Sequence, residues 1–299
     1  CRQRLPPQHA AVSCGVMTMT SSLRTLSCAL LVVSCPAVSR PAEPEILVLS
    51  VDSATNVVGL RVDDEQAVAL RLDRSLWFCA ADLGAFLPSE VDVDGLSITV
   101  SGAVVFSTDV GFMHGGSAVA DEDLLLIEAG VLSVIFDGSA HGLPVSADID
   151  AVHVAGLDPL EIYYSVATPT EIGGTVYADD DILHWAGGTH SLVLSGNDLF
   201  GSQRDRLDVD GLWVDDDDGD LLISTDVGLV DVDSLTSACD DDILHYRLAT
   251  GTLSLFAEPS GLGLDSPRVD IDALADAGPH VFADGFEAGD TGRWSLSIP

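Results

Sequence analysis

The chain has 299 residues, enough for one large domain or two ordinary ones with a sizeable core. It carries 48 acids against 12 bases, a formal net charge of −36; every base is arginine, and 38 of the acids are aspartate. That balance excludes a nucleic-acid partner, because no basic surface exists to neutralise phosphates, and an apolar share of 47% excludes a disordered chain.

The first elements in chain order are export signals. Residues 1–39 read as an upstream extension followed by a signal peptide, with Met17 or Met19 as a start and Arg24 ahead of an eight-residue apolar run, Leu26–Val33. That run is too short to span a bilayer and has the length of a signal-peptide core. Ala37-Val38-Ser39 offers small residues for cleavage before Arg40. Val32-Val33-Ser34-Cys35 resembles a lipobox that would leave a lipid anchor on Cys35. The expected location is therefore secreted, on the outer cell surface, or in the periplasm, with no transmembrane segment. Beyond the signal only Cys79 and Cys239 remain, in the first and last repeats; they either pair across the ends of the array or stay as thiols.

Residues 45–275 contain a fourfold repeat with three landmarks in fixed order. An extended run ends in a small polar cluster at Leu47–Asp52, Val104–Asp109, Ile162–Ala167 and Leu221–Asp226. An acidic triplet follows at 63–65, 121–123, 179–181 and 240–242. An Asp-x-Asp pair comes next, as Asp92/Asp94, Asp148/Asp150, Asp208/Asp210 and Asp270/Asp272. Like landmarks lie 56 to 62 residues apart. Short runs rich in Val, Ile, Leu and Tyr, broken by Asp-Gly and Gly-Gly, predict two hairpins per repeat and hence a four-stranded antiparallel unit. No long 3.6-residue period is present. The first unit lacks the strand that follows Asp-x-Asp, and Val269–Leu274 at the far end supplies one. The expectation is an all-β, four-bladed propeller closed by its own ends, with an open β-solenoid or paired sandwiches as alternatives.

The candidate ligands are the eight aspartates of the pairs: Asp92, Asp94, Asp148, Asp150, Asp208, Asp210, Asp270 and Asp272. Alternate residues of a strand share a face, so a closed ring would crowd these carboxylates at one end of its channel. They would repel there unless protonated or bound to a cation, for which calcium, a hard ion taking oxygen ligands, is the candidate. The competing reading makes each Asp-x-Asp a solvated strand start. Asp215–Asp218 reads as a solvated turn. His184 and His245 occupy matching strand positions, a sign of packing. Ser107 and Ser224 have no local base or nucleophile elbow, and no catalytic or cofactor-binding residue is assigned. Trp77, Trp185 and Trp213 fall on strands and read as core.

The strings STDVG, ADEDLL (Ala120–Leu125), ADDDIL (Ala178–Leu183), VIFDGSAHGL (Val134–Leu143) and DIDAV (Asp148–Val152) resemble a repeat of uncharacterised exported bacterial proteins. That resemblance implies export and a repeat fold, with no activity attached. Phe282–Ser295 (FADGFEAGDTGRWS), within a tail at 276–299, is similar to a terminal motif of exported Gram-negative proteins, which implies sorting or anchoring. The Asp-Ala pairs at 150–151 and 272–273 resemble the four-bladed hemopexin-like propeller in architecture alone. The functional expectation is a calcium-stabilised binding or adhesion module meeting a protein or glycan at the cell surface. A secreted hydrolase with a cation-loaded acidic cleft, and an envelope protein without a ligand, are the alternatives.

Overall fold

The computed structural model describes residues 46–51, 55–57, 60–62, 66–71, 77–202, 207–232, 235–258 and 271–276. The signal region with Cys35, the pair member Asp270, the first acidic triplet and the Phe282–Ser295 motif lie outside these residues.

Short runs of apolar and β-branched residues form strands throughout, and they associate in fours. Blade one holds β1 (Ile46–Ser50), β4 (Gln66–Arg71) and β5 (Trp77–Asp82), with a small hairpin of β2 (Thr55–Val57) and β3 (Leu60–Val62) between β1 and β4. Blade two is β6 (Leu96–Ile98), β7 (Val104–Phe106), β10 (Leu124–Glu128) and β11 (Val131–Phe136), with the hairpin β8 (Phe112–His114) and β9 (Ser117–Val119). A helical turn, α1 (Gly138–His141), leads to blade three. That blade comprises β12 (Ile149–Leu157), β13 (Leu160–Val166), β16 (Ile182–Ala186) and β17 (Thr189–Leu194), with the hairpin β14 (Thr170–Ile172) and β15 (Thr175–Tyr177). After α2 (Gly196–Phe200), blade four is β18 (Gly211–Val214), β19 (Leu221–Ser224), β22 (Ile243–Arg247) and β23 (Thr252–Ala257), with β20 (Val230–Val232) and β21 (Leu235–Ser237) as its hairpin.

The final strand, β24 (Ala273–Asp276), pairs antiparallel with β1, Leu49 opposite Leu274 and Ser50 opposite Ala273, and becomes the innermost strand of blade one. The C-terminal end thus closes the ring as the sequence predicts, with the paired residues falling at 273–276. The innermost strands meet in cyclic order, β6 with β12, β12 with β18, β18 with β24 and β24 with β6; they also touch across the centre, β12 with β24 and β18 with β6. This is a four-bladed β-propeller with a narrow axis, not a solenoid or a pair of sandwiches.

Its core is four wedges, one per blade junction. Phe106 and Leu125 face Val48 and Ala69 of blade one. Val105, Leu126 and Phe136 face Ile162, Tyr164 and Trp185 of blade three. Ile182, Leu199 and Phe200 meet Leu212, Ile223 and Leu244, and Leu222 and Ile243 meet Leu47, Leu49 and Leu274. Each fully buried side chain of this size contributes about 1.5–3 kcal/mol. The four inserted hairpins and the two helical turns are features the repeat pattern did not predict. Among the described residues no helix is long and apolar enough to cross a membrane.

Candidate metal centre

All three repeat landmarks fall at one end of the propeller, because antiparallel pairing brings the start of the first strand beside the end of the second. In blade two, Ser107 Oγ accepts a hydrogen bond from Gly95 N–H at 2.8 Å, and Asp109 Oδ1 accepts one from Asp92 N–H at 2.8 Å. Blade four repeats the second bond, Asp208 N–H to Asp226 Oδ1 at 2.8 Å. In blade three, Ser165 Oγ accepts from Ala151 N–H and donates to Val209 O of the next blade. The Ser-Thr-Asp string is therefore a clasp that pins the Asp-x-Asp segment, a role that explains Ser107 without chemistry.

The acidic triplets divide their work. The last member is buried and ties the third strand's entry to the helical turn. Asp123 accepts from Ala120 N–H and Gly138 N–H, each at 3.0 Å. Asp181 does the same with Ala178 and Gly196, each again at 3.0 Å. Asp242 Oδ2 accepts from Cys239 N–H at 2.7 Å. The glycines are needed for close approach: a Cβ on Gly138 would strike the Glu122 backbone, and one on Gly196 the Asp180 carboxylate. The middle residues Glu122 and Asp180 are almost wholly buried.

The Asp-x-Asp pairs stand at the mouth of the channel. Asp92, Asp94, Asp208 and Asp210 precede their strands, whereas Asp150 lies within β12. Burial raises the Asp94 carboxyl to about 9, reinforced by repulsion from Asp148, Asp109 and Asp272. Burial also pushes Asp150 well above the ordinary range, with Asp94, Asp148 and Asp272 adding repulsion and a side-chain hydrogen bond with Asp208 opposing it. Asp208 rises to about 9, from burial and then the charge of Asp150. Asp148 rises to about 7, from burial and then Asp121, Asp109 and Glu122. Asp94, Asp150 and Asp272, from three different blades, thus face one another across the axis. Asp148 also faces the acidic triplet of the preceding blade, to which its strand is joined by Ile149 N–H donating to Asp121 O at 3.2 Å. Asp92, Asp210 and Asp272 are half-buried.

Among the described members of the pairs, Asp148 Oδ1 and Asp150 Oδ2 are buried without a hydrogen-bond partner, which is costly for a charged group. Among the described residues, the axial oxygens do not gather in threes within 4.8 Å; the group that does is Cys239, Asp241 and Asp242. That trio belongs to the fourth blade's acidic triplet, with Cys239 exposed and Asp241 raised to about 6 by burial and then by Asp242 and Asp240. The side chain of Cys79, the expected partner of Cys239, is outside the described residues.

The other candidates resolve as follows. Asp216, Asp217 and Asp218 are exposed, as a solvated turn requires. Trp185 is buried, Trp213 is half-buried, and Trp77 falls on β5. His184 Nε2–H donates to Glu161 Oε1 at 2.8 Å and His245 Nε2–H to Asp220 Oδ2 at 3.1 Å, so both are strand residues with carboxylate partners. Sequence reasoning passed over Glu161, Tyr163 and His153, which lie with Asp216 of the solvated turn between blades three and four. Their signal was a departure from the repeat at matching strand positions.

No protein-family model matches the chain, and no curated protein matches it in sequence. Solved structures to which it is similar include YCF48 bound to a D1 peptide (TM-score 0.31, 8% identity, 65% of this chain and 50% of that one). Others are the β-propeller domain of Myceliophteria thermophila Cps50 (Swd1) (0.30, 7%, 71% and 55%) and a chain of the nidogen/laminin complex (0.33, 11%, 77% and 97%). The chain spans half the length of the first of these.

Proposed function

We propose that this chain is an exported binding or adhesion module whose propeller is stabilised by a calcium ion at the acidic mouth of its channel, and whose partner is a protein or glycan at the cell surface. The observation that carries the metal reading is the buried Asp150 Oδ2, which has no hydrogen-bond partner among the described residues and lies beside the like charges of Asp94 and Asp148. A cation at this point lets the carboxylates ionise at neutral pH and removes their mutual repulsion. Among the described residues no three axial oxygens lie within 4.8 Å of one another, so water completes the shell, as hard cations accept. The export reading rests on the apolar run Leu26–Val33. The binding reading rests on the regularity of the blades.

Equilibrium dialysis with calcium tests the metal reading. The protein should take up calcium saturably in the presence of millimolar magnesium, and the double variant Asp94→Asn/Asp150→Asn should lose that uptake while remaining folded. Uptake unchanged in the double variant would overturn the axial site.

A further inference from the structure

One row of side chains on each blade faces the next blade. In register across the strands it reads Ala275, Val48, Ala69 in blade one and Ser97, Val105, Leu126, Ser133 in blade two. In blade three it reads His153, Tyr163, His184, Ser191, and in blade four Trp213, Leu222, His245, Ser254. Blade three alone fills three successive places with ring-bearing polar residues. They face the β18–β19 turn of blade four, at the end of the channel opposite the Asp-x-Asp pairs.

The rings are packed in series. Tyr163 and His184 lie with centroids 4.6 Å apart, His153 and Tyr163 6.1 Å apart, and Trp213 meets His153 edge-on at 6.5 Å. Two carboxylates border them. Glu161 accepts from His184 and leaves much of its side chain exposed, and Asp216 is 64% exposed. Both raise the Tyr163 hydroxyl above its ordinary range, after burial, the largest cause, so the phenol lies within reach of both charges. His153 is 8% exposed, and its Nε2 is buried without a hydrogen-bond partner, 3.6 Å from Asp216 Oδ1. Among the described residues neither carboxylate has an arginine partner, and the chain has no lysine to offer.

We propose that this junction is a binding site for an organic cation, an alkylammonium or guanidinium group. Its N–H donors go to Glu161 and Asp216, and its charge lies against the half-buried ring of Tyr163. Carboxylates give such a group charge-assisted hydrogen bonds, aromatic faces attract it through their quadrupoles, and the field of a chain at −36 favours its approach. Packing alone would be met by the Val and Leu that blade two uses at the same positions. The cation arrives either as a free amine or as a Lys or Arg side chain of a basic polypeptide.

Calorimetric titration of the full chain tests this, with n-butylammonium, n-butylguanidinium and an acetylated Gly-Arg-Gly peptide as probes and methyl cellobioside as the neutral control. Saturable one-to-one binding of a cationic probe is expected, with chelator or with calcium present. Glu161→Gln and Asp216→Asn should each weaken it at least fivefold, while Asp217→Asn, on the same exposed turn, leaves it unchanged. A peptide affinity tenfold above that of n-butylguanidinium assigns the site to a polypeptide, and equal affinities assign it to a free amine. Binding no stronger than sodium at equal ionic strength, binding indifferent to Glu161→Gln and Asp216→Asn, or preference for the saccharide would overturn the proposal. Because both substitutions fall on exposed side chains, an unchanged circular dichroism spectrum separates lost binding from lost fold.

Discussion

Asp123 Oδ1 accepts a hydrogen bond from the backbone N–H of Gly138 at 3.0 Å, and Asp181 with Gly196 reproduces it one blade later at the same distance. Each carboxylate also holds the turn before its own strand, so one buried group joins the third strand to the segment leaving the fourth. Removing it strands two donors. Asp123→Ala and Asp181→Ala should each destabilise the protein by about 2–4 kcal/mol, read as a lower urea midpoint. Asp216→Ala, an exposed aspartate, should shift it by less than about 0.5 kcal/mol.

Ser165 bridges blades three and four through Ala151 N–H at 3.1 Å and Val209 O at 2.9 Å, both buried. Ser165→Ala should cost about 1–3 kcal/mol. Ser97→Ala, which strands Val154 N–H across the previous junction, should cost a similar amount, again by urea unfolding. The two serines serve different junctions, so the two losses should be additive to within about 0.5 kcal/mol.

Much of this fold was legible in the sequence because a propeller repeats its errors as well as its rules. Leu47–Asp52, Val104–Asp109 and Leu221–Asp226 mark the second strand of a blade wherever they occur, and the missing first strand of unit one pointed to closure by the C-terminal end. The hairpins β8–β9 and β14–β15 were not legible. Three-residue strands such as Phe112–His114 are too short to display a period of two, and their Gly-Gly tips read equally well as plain turns. The helical turns Gly138–His141 and Gly196–Phe200 were hidden for the same reason. The aspartates divided in a way composition could not foresee. Asp123 and Asp94 are the same residue type in the same repeat, yet one accepts two backbone N–H groups and the other is driven to about 9 by burial and its neighbours. Only three-dimensional placement separates a clasp from a candidate ligand.

His190 is held neutral between two partners: Tyr164 O–H donates to Nδ1 at 2.7 Å, and Nε2–H donates to His141 O at 2.8 Å. Burial lowers its pKa below the ordinary value near 6.5. The stability it contributes is therefore fully present above that value and lost as the pH falls through the folded one, since the unfolded chain binds the proton first. The His190 ring should titrate below 6.5 by NMR. Between pH 7 and pH 5, His190→Gln should lose less stability than the parent protein.

The axial carboxylates give the opposite slope. Asp94 and Asp208, each at about 9, and Asp148, at about 7, hold their protons in the folded state far above the ordinary value. Without metal, the stability tied to these protons is present at acid pH and lost as pH rises toward those values. Chelator-treated protein should thus melt several degrees lower at pH 8 than at pH 5, and Asp94→Asn should flatten that slope. If the slope is unchanged in Asp94→Asn, the repulsion does not reside at the axis.

Thermal unfolding of residues 40–299 at pH 7.5, first in excess chelator and then in millimolar calcium or magnesium, tests the central claim most directly. Calcium at about 100 times its dissociation constant should stabilise the fold by about 2.7 kcal/mol, a rise of several degrees, with no comparable rise in magnesium and none in Asp94→Asn/Asp150→Asn. A melting temperature unmoved by calcium would contradict the account and leave the Asp-x-Asp pairs as strand starts alone.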